Sequence, residues 1–87
     1  MKVFQPGHVY ILDHRGVFLV FRRRDIDGSM LPGTTTCELL EVLIHRVESL
    51  DKQNPCMENI ETLHALHAAH GAQLARTERI SAEEKGT

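Results

Sequence analysis

Tryptophan is absent from this chain, aromatic residues of any kind make up 5%, and only two cysteines occur in 87 residues. So few cysteines exclude a disulfide-stapled secreted scaffold, and Cys37 and Cys56 read as small buried side chains in a reducing compartment. No apolar run is long enough to cross a bilayer, which excludes a membrane-spanning class. The opening Met-Lys-Val-Phe-Gln-Pro-Gly-His lacks the apolar core of a signal peptide, so the expected location is the cytoplasm. A basic excess is missing as well: the net charge of −2 argues against a nucleic-acid polymer as partner. The cations that exist are local, Arg22, Arg23 and Arg24 in one cluster and Arg76 and Arg79 in another, and such clusters suit a small anion.

What is present reads as an α+β chain. Residues 9–12 and 17–21 are β-branched and aromatic runs separated by Asp13-His14-Arg15-Gly16, which predicts a β-hairpin over residues 8–24. Residues 25–34 are rich in Asp, Gly, Pro and Thr without a period and predict a loop. Thr35 with Glu38 three residues later is a capping box, so a helix is expected from about Thr36. Its apolar residues Leu40, Leu43, Val47 and Leu50 recur at three- and four-residue spacing, widened by Leu39, Val42 and Ile44. Residues 51–54 predict a turn, with Asn54 as N-cap and Pro55 as first residue of a second helix reaching about Arg79. That helix carries an apolar stripe, Ile60, Leu63, Leu66 and Leu74, beside Ala65, Ala68, Ala69, Ala72 and Ala75. Gly71, in mid-helix, is expected to mark close packing. The prediction is therefore a single domain, 1–87: a hairpin, a loop, an antiparallel helical hairpin over 35–80, and a flexible polar tail over 81–87. Two strands and two helices make a thin core, so an obligate homo-oligomer is expected, a dimer first and a stack of dimers beyond it.

The order hairpin, loop, Gly33-Thr34-Thr35, Leu40-Glu41-Val42-Leu43-Ile44-His45-Arg46, Pro55-Cys56, Glu58-Asn59, Arg76-Thr77 and a closing Gly86-Thr87 resembles the bacteriophage anti-Thoeris signal-sponge family. The resemblance covers nearly the whole chain, and the helical-hairpin part is shared more remotely by phage anti-CBASS sponges. It implies a non-enzymatic protein, without cofactor, that sequesters a host immune messenger in the cytoplasm of the infected bacterium. The messenger would be a cyclic ADP-ribose isomer, with cyclic di- or trinucleotides as further ligands of a hexamer. The family's ligand asparagine falls on Asn59, and its paired arginines fall on Arg76 and Arg79.

The chemistry of those residues agrees with such a ligand. Arginines three apart share a helix face, and guanidinium groups fork onto phosphate oxygens or stack on purines. An asparagine amide both donates and accepts, so it reads a base edge or a ribose hydroxyl. Arg46, Arg22 and Arg24 are further ligand candidates; surface ion pairing with neighbouring carboxylates is the simpler account of each. His64, His67 and His70 span too wide an arc for one helix to offer all three to one metal, and no supporting carboxylate is evident, so they are expected to line an oligomer interface. Neither cysteine is accompanied by an oxyanion-hole loop, and no Cys–His enzyme is expected. The competing class is a small helical protein-interaction module with no small-molecule ligand.

Overall fold

The computed structural model describes residues 1–13 and 16–85. His14 and Arg15 of the expected hairpin turn, and Gly86 and Thr87 of the expected motif, lie outside the described residues. The chain is α+β, with strands followed by two helices, and divides into two compact units, Met1–Thr36 and Cys37–Thr87.

The first unit holds five short strands. Strands β1 (Lys2–Gln5), β2 (Val9–Ile11) and β3 (Phe18–Val20) form an antiparallel sheet in that order, with Val3, Tyr10 and Leu19 in one row. The pairing of β2 with β3 is the hairpin expected from the sequence. Strand β1 is an addition, turned back by Gln5-Pro6-Gly7-His8: His8 N–H donates to the Gln5 carbonyl at 2.9 Å, and Gly7 takes φ 79°. Proline then glycine at the centre of a four-residue turn is type II chemistry, and glycine supplies the positive φ.

A second small hairpin takes the last two residues of the expected hairpin, 23–24, and most of the region expected to be loop, 25–34. Strands β4 (Arg23–Arg24) and β5 (Met30–Leu31) pair antiparallel around a tip built by Asp25 and Asp27. Asp25 N–H donates to the Ser29 carbonyl, and the Asp27 carboxylate accepts from both the backbone N–H and the hydroxyl of Ser29, at 2.9 and 2.6 Å. Local Asp-to-backbone bonding of this kind substitutes for the hydrophobic period that identifies longer strands. Tyr10 and Phe21 meet edge to face with ring centroids 6.0 Å apart, and Thr34 pairs with Phe21 in an isolated parallel bridge.

The second unit is an antiparallel helical hairpin, α1 (Thr36–Gln53) and α2 (Met57–Lys85). The half-buried or buried residues of α1 facing inward are Cys37, Leu40, Ile44, Val47 and Asp51; those of α2 are Asn59, Leu63, Leu66, His70 and Gln73. Both sets alternate steps of three and four, the spacing of a helix-on-helix seam. Ile44, 8% exposed, is the one buried side chain among the described residues, whereas Leu43 and Leu50 of the expected stripe remain exposed. On α2, Ile60 and Leu74 likewise fall outside the seam, because a single partner helix covers a narrower arc than a 3.6-residue stripe occupies.

Three boundaries differ from expectation. Helix α1 runs on to Gln53, and Asn54 N–H still bonds the Leu50 carbonyl at 3.0 Å, so Asn54 closes α1 instead of capping α2. Pro55 stays outside α2, which starts at Met57. At its far end α2 continues to Lys85, several residues into the segment expected to be flexible. Gly71 has no atom within 4 Å of where a Cβ would stand, so the close packing expected there is not made within the chain.

Candidate functional site

Asn59, the candidate reader of a base edge, sits in the first turn of α2 and is half-buried. Its side-chain amide donates to Asp51 Oδ1 at 3.4 Å and reaches the Asn54 carbonyl at 3.5 Å. The same Asp51 oxygen accepts the Cys56 N–H at 3.2 Å. Asp51 therefore closes the helical hairpin: it satisfies a free N–H at the start of α2 and places a negative charge where the helix dipole is positive. The Asn59 donor group is committed to that turn, and its carbonyl oxygen is the part left for an incoming group.

The two arginines stand apart from it. Arg76 follows Asn59 by 17 residues on one helix, which at 1.5 Å per residue is about 25 Å. Arg76 is exposed and forms no ion pair among the described residues. Arg79, also exposed, pairs with Glu83 at 3.4 Å, an i,i+4 contact between two solvated side chains. Arg46, on α1, is exposed. In the other unit, exposed Arg22 and Arg24 flank half-buried Arg23, and Arg22 N–H donates to the Thr34 carbonyl at 2.8 Å. Arg22, Arg24, Arg76 and Arg79 are thus exposed while Arg23 is half-buried, and no single chain brings Asn59 together with Arg76 and Arg79.

The helical unit also places a polar contact that the sequence reading missed. His70 Nε2 lies 3.3 Å from Glu41 Oε1 across the two helices, His70 half-buried and Glu41 exposed. The carboxylate judged to be missing beside the histidines is thus supplied by α1. His64 and His67 are exposed, and no group of three metal-ligating side chains forms among the described residues. Cys37 and Cys56 are free, half-buried thiols. A hollow at the end of the three-stranded sheet is lined by Met1, Lys2, Ile11, Leu12 and Asp13; it holds none of the candidate ligand residues and one basic side chain, Lys2. No helix among the described residues is long and apolar enough to cross a membrane. The chain matches no protein-family model, no curated protein and no solved structure.

Proposed function

We propose that the protein is a phage signal sponge that captures a host cyclic nucleotide messenger, a cyclic ADP-ribose isomer or a cyclic di- or trinucleotide, and holds it without breaking a bond. The observation that carries the reading is the Arg76 guanidinium, exposed on the last turns of α2 with no ion pair among the described residues and with Arg79 on the same face. An exposed carboxylate at Glu83 is a weak competitor for Arg79, so a phosphate displaces it at little cost.

The separation of Asn59 from Arg76, about 25 Å, exceeds what one cyclic nucleotide spans. Capture therefore uses two copies: the arginines of one chain and the amide oxygen of Asn59 in another, with Arg46 of the same helical unit as an additional cation. The working form is a homo-oligomer, a dimer or dimers stacked into a hexamer, in the cytoplasm of the infected bacterium. A sponge needs slow release, since affinity within one class of complex is set mainly by the off-rate.

Native mass spectra of the purified protein, recorded with cyclic ADP-ribose isomers and with cyclic di- and trinucleotides, test this. The expected result is unmodified ligand retained by a defined oligomer, and loss of about 100-fold or more in retention for Arg76→Ala, equivalent to removing a charge-assisted fork worth roughly 3 kcal/mol. The mutant is to be compared at a protein concentration where copy number is unchanged. An oligomer that retains nothing from the panel overturns the sponge and leaves the protein-interaction module as the better reading.

A further inference from the structure

Two contacts fix the register of the helical hairpin. Glu41 Oε1 and His70 Nε2 stand 3.3 Å apart, and Asp51 Oδ1 and Asn59 Nδ2 stand 3.4 Å apart. Between them α1 advances ten residues and α2 eleven, so the helices stay in step. From Glu41, four residues along α1 lead to His45, a rise of about 6 Å; from His70, three residues back along α2 lead to His67, about 4.5 Å in the same direction. His45 and His67 thus stand at the next level of the hairpin.

They also share its side. An antiparallel pair of helices is related by a half-turn about an axis normal to their common plane, so residues just after the inward positions of both lie on one side. Glu41 follows Leu40, His45 follows Ile44 and His67 follows Leu66, each an inward-facing residue, while His70 lies in the seam itself. His64 is about 120° around α2 from His70 and lies a further turn away. Helix α2 therefore offers two histidines to this side, and α1 supplies the rest.

We propose that Glu41, His45, His67 and His70 form a site for one zinc ion that clips α1 to α2. The gap between the first pair fits this ion. A charge-assisted hydrogen bond closes to about 2.7–2.9 Å, whereas two donor atoms held about 2.0–2.1 Å from a tetrahedral zinc stand about 3.3–3.4 Å apart. Glu41 and His70 thus mark two corners. His45 and His67 are exposed, and their side chains form no hydrogen bond or ion pair among the described residues, so they turn onto the ion without giving up a contact. Spacings of four on α1 and three on α2 are those at which helical side chains meet. Imidazole nitrogens with one carboxylate suit zinc, which has no geometric preference of its own to oppose them. Ile44 is the one buried side chain among the described residues, and a metal clip supplies the cross-link that so thin a core lacks. The site uses no nucleotide and stands apart from the sponge reading.

The full chain, free of any histidine tag and stripped with EDTA, is titrated with zinc chloride against a colorimetric chelator, and its helical melting is followed with and without the ion. The wild type is expected to take one zinc per chain with a Kd of about 1 μM or tighter. Zinc should raise the melting midpoint, and EDTA should return it. His45→Ala and His67→Ala each remove an exposed side chain without contacts. Both should melt as the wild type does in EDTA, bind zinc at least about tenfold more weakly and lose the zinc-dependent rise. His64→Ala should bind as the wild type does. Half a zinc per chain would assign the ion to a contact between two copies, and binding unmoved by His45→Ala and His67→Ala would be adventitious chelation. Either result overturns the proposal, as would no binding or a loss of binding in His64→Ala. Cyclic nucleotide retention is measured in EDTA, so the fate of the sponge reading is decided separately.

Discussion

The two units of this chain are held together by different means. In the unit Met1–Thr36 the decisive features belong to the backbone: Gly7, Gly16 and Gly28 take positive φ at the turns, a bulge interrupts β1, and the strands are two to four residues long. In the helical unit the decisive features are side chains, an inward seam at three-four spacing closed at its end by Asp51. Loss of a side chain in the first unit, where most are exposed, should therefore cost less than an added atom at a close backbone approach. In the second, one polar side chain controls the connection between the helices.

Gly33 offers the largest way to break that contrast. A Cβ built there would lie 2.6 Å from Arg22 N and Phe21 C and 2.7 Å from Val20 O, all backbone atoms that cannot rotate away. The approach is fixed by the hydrogen bonds Thr34 N–H to Val20 carbonyl and Arg22 N–H to Thr34 carbonyl, both 2.8 Å. Gly33→Ala is expected to cost about 3 kcal/mol, the upper range for overpacking, because the obstruction is main chain. Thermal melts followed by amide signals of the strands and by helical circular dichroism measure it. A midpoint like that of the wild type would refute the backbone account. Equal loss in strand and helix signals would mean that the two units unfold as one.

Asp51→Ala is the next largest, and it probes the helical unit. Removing the carboxylate frees the Cys56 N–H and the Asn59 amide together, at an expected cost of about 1–2 kcal/mol. Asp51→Asn keeps an acceptor at the same place without the charge and should recover roughly half. If both variants melt as the wild type does, the Asp51 contacts are incidental to the hairpin connection. The same pair of variants sharpens the reading of Asn59: an amide released from Asp51 is free to turn, so ligand contact through Asn59 should weaken even though its own side chain is untouched.

How far the sequence could be read follows from the same contrast. Both helices were legible because capping and apolar spacing are local signals repeated over many residues. The hairpin of β2 and β3 was legible for the same reason, its β-branched and aromatic runs being bounded by Asp and Gly. Strand β1 was not expected: Lys2–Gln5 has no alternation, and the Pro6-Gly7 turn that brings it back on β2 is a two-residue signal. Strands β4 and β5, at two residues each, are too short for any period to register, and Asp25 and Asp27 read as loop chemistry while in fact building a hairpin tip. The start of α2 was misplaced because Asn54-Pro55 is a good local cap signal, whereas the acceptor that takes the Cys56 N–H comes from Asp51 on the other helix. That Arg46, Arg76 and Arg79 are exposed was legible from residue type. The distance from Asn59 to Arg76 was also implicit in the sequence, since helix rise fixes it. The Glu41–His70 contact was not, because it depends on the register of the two helices.

Asp27 gives the smallest effect and tests whether the β4–β5 tip is built as described. The hydroxyl of Ser29, and then its backbone N–H, hold the Asp27 carboxyl below the usual carboxylate range by bonding its charged form. A group whose pKa is lower folded than unfolded binds a proton more readily in the unfolded chain. The contribution of Asp27 is therefore present above the ordinary carboxylate value, near pH 4, and is lost as pH falls through the lowered folded value. Asp27 is fully exposed, so this term is small and local. The expected outcome is that the Ser29 and Asp27 amide resonances shift with the Asp27 titration while the signals of α1 and α2 stay unchanged over the same interval. Ser29→Ala, which removes the hydroxyl donor but keeps the backbone one, should move that midpoint upward only part of the way. A midpoint unchanged by Ser29→Ala would assign the lowering to the backbone alone, making the β4–β5 tip a product of main-chain geometry like the rest of its unit.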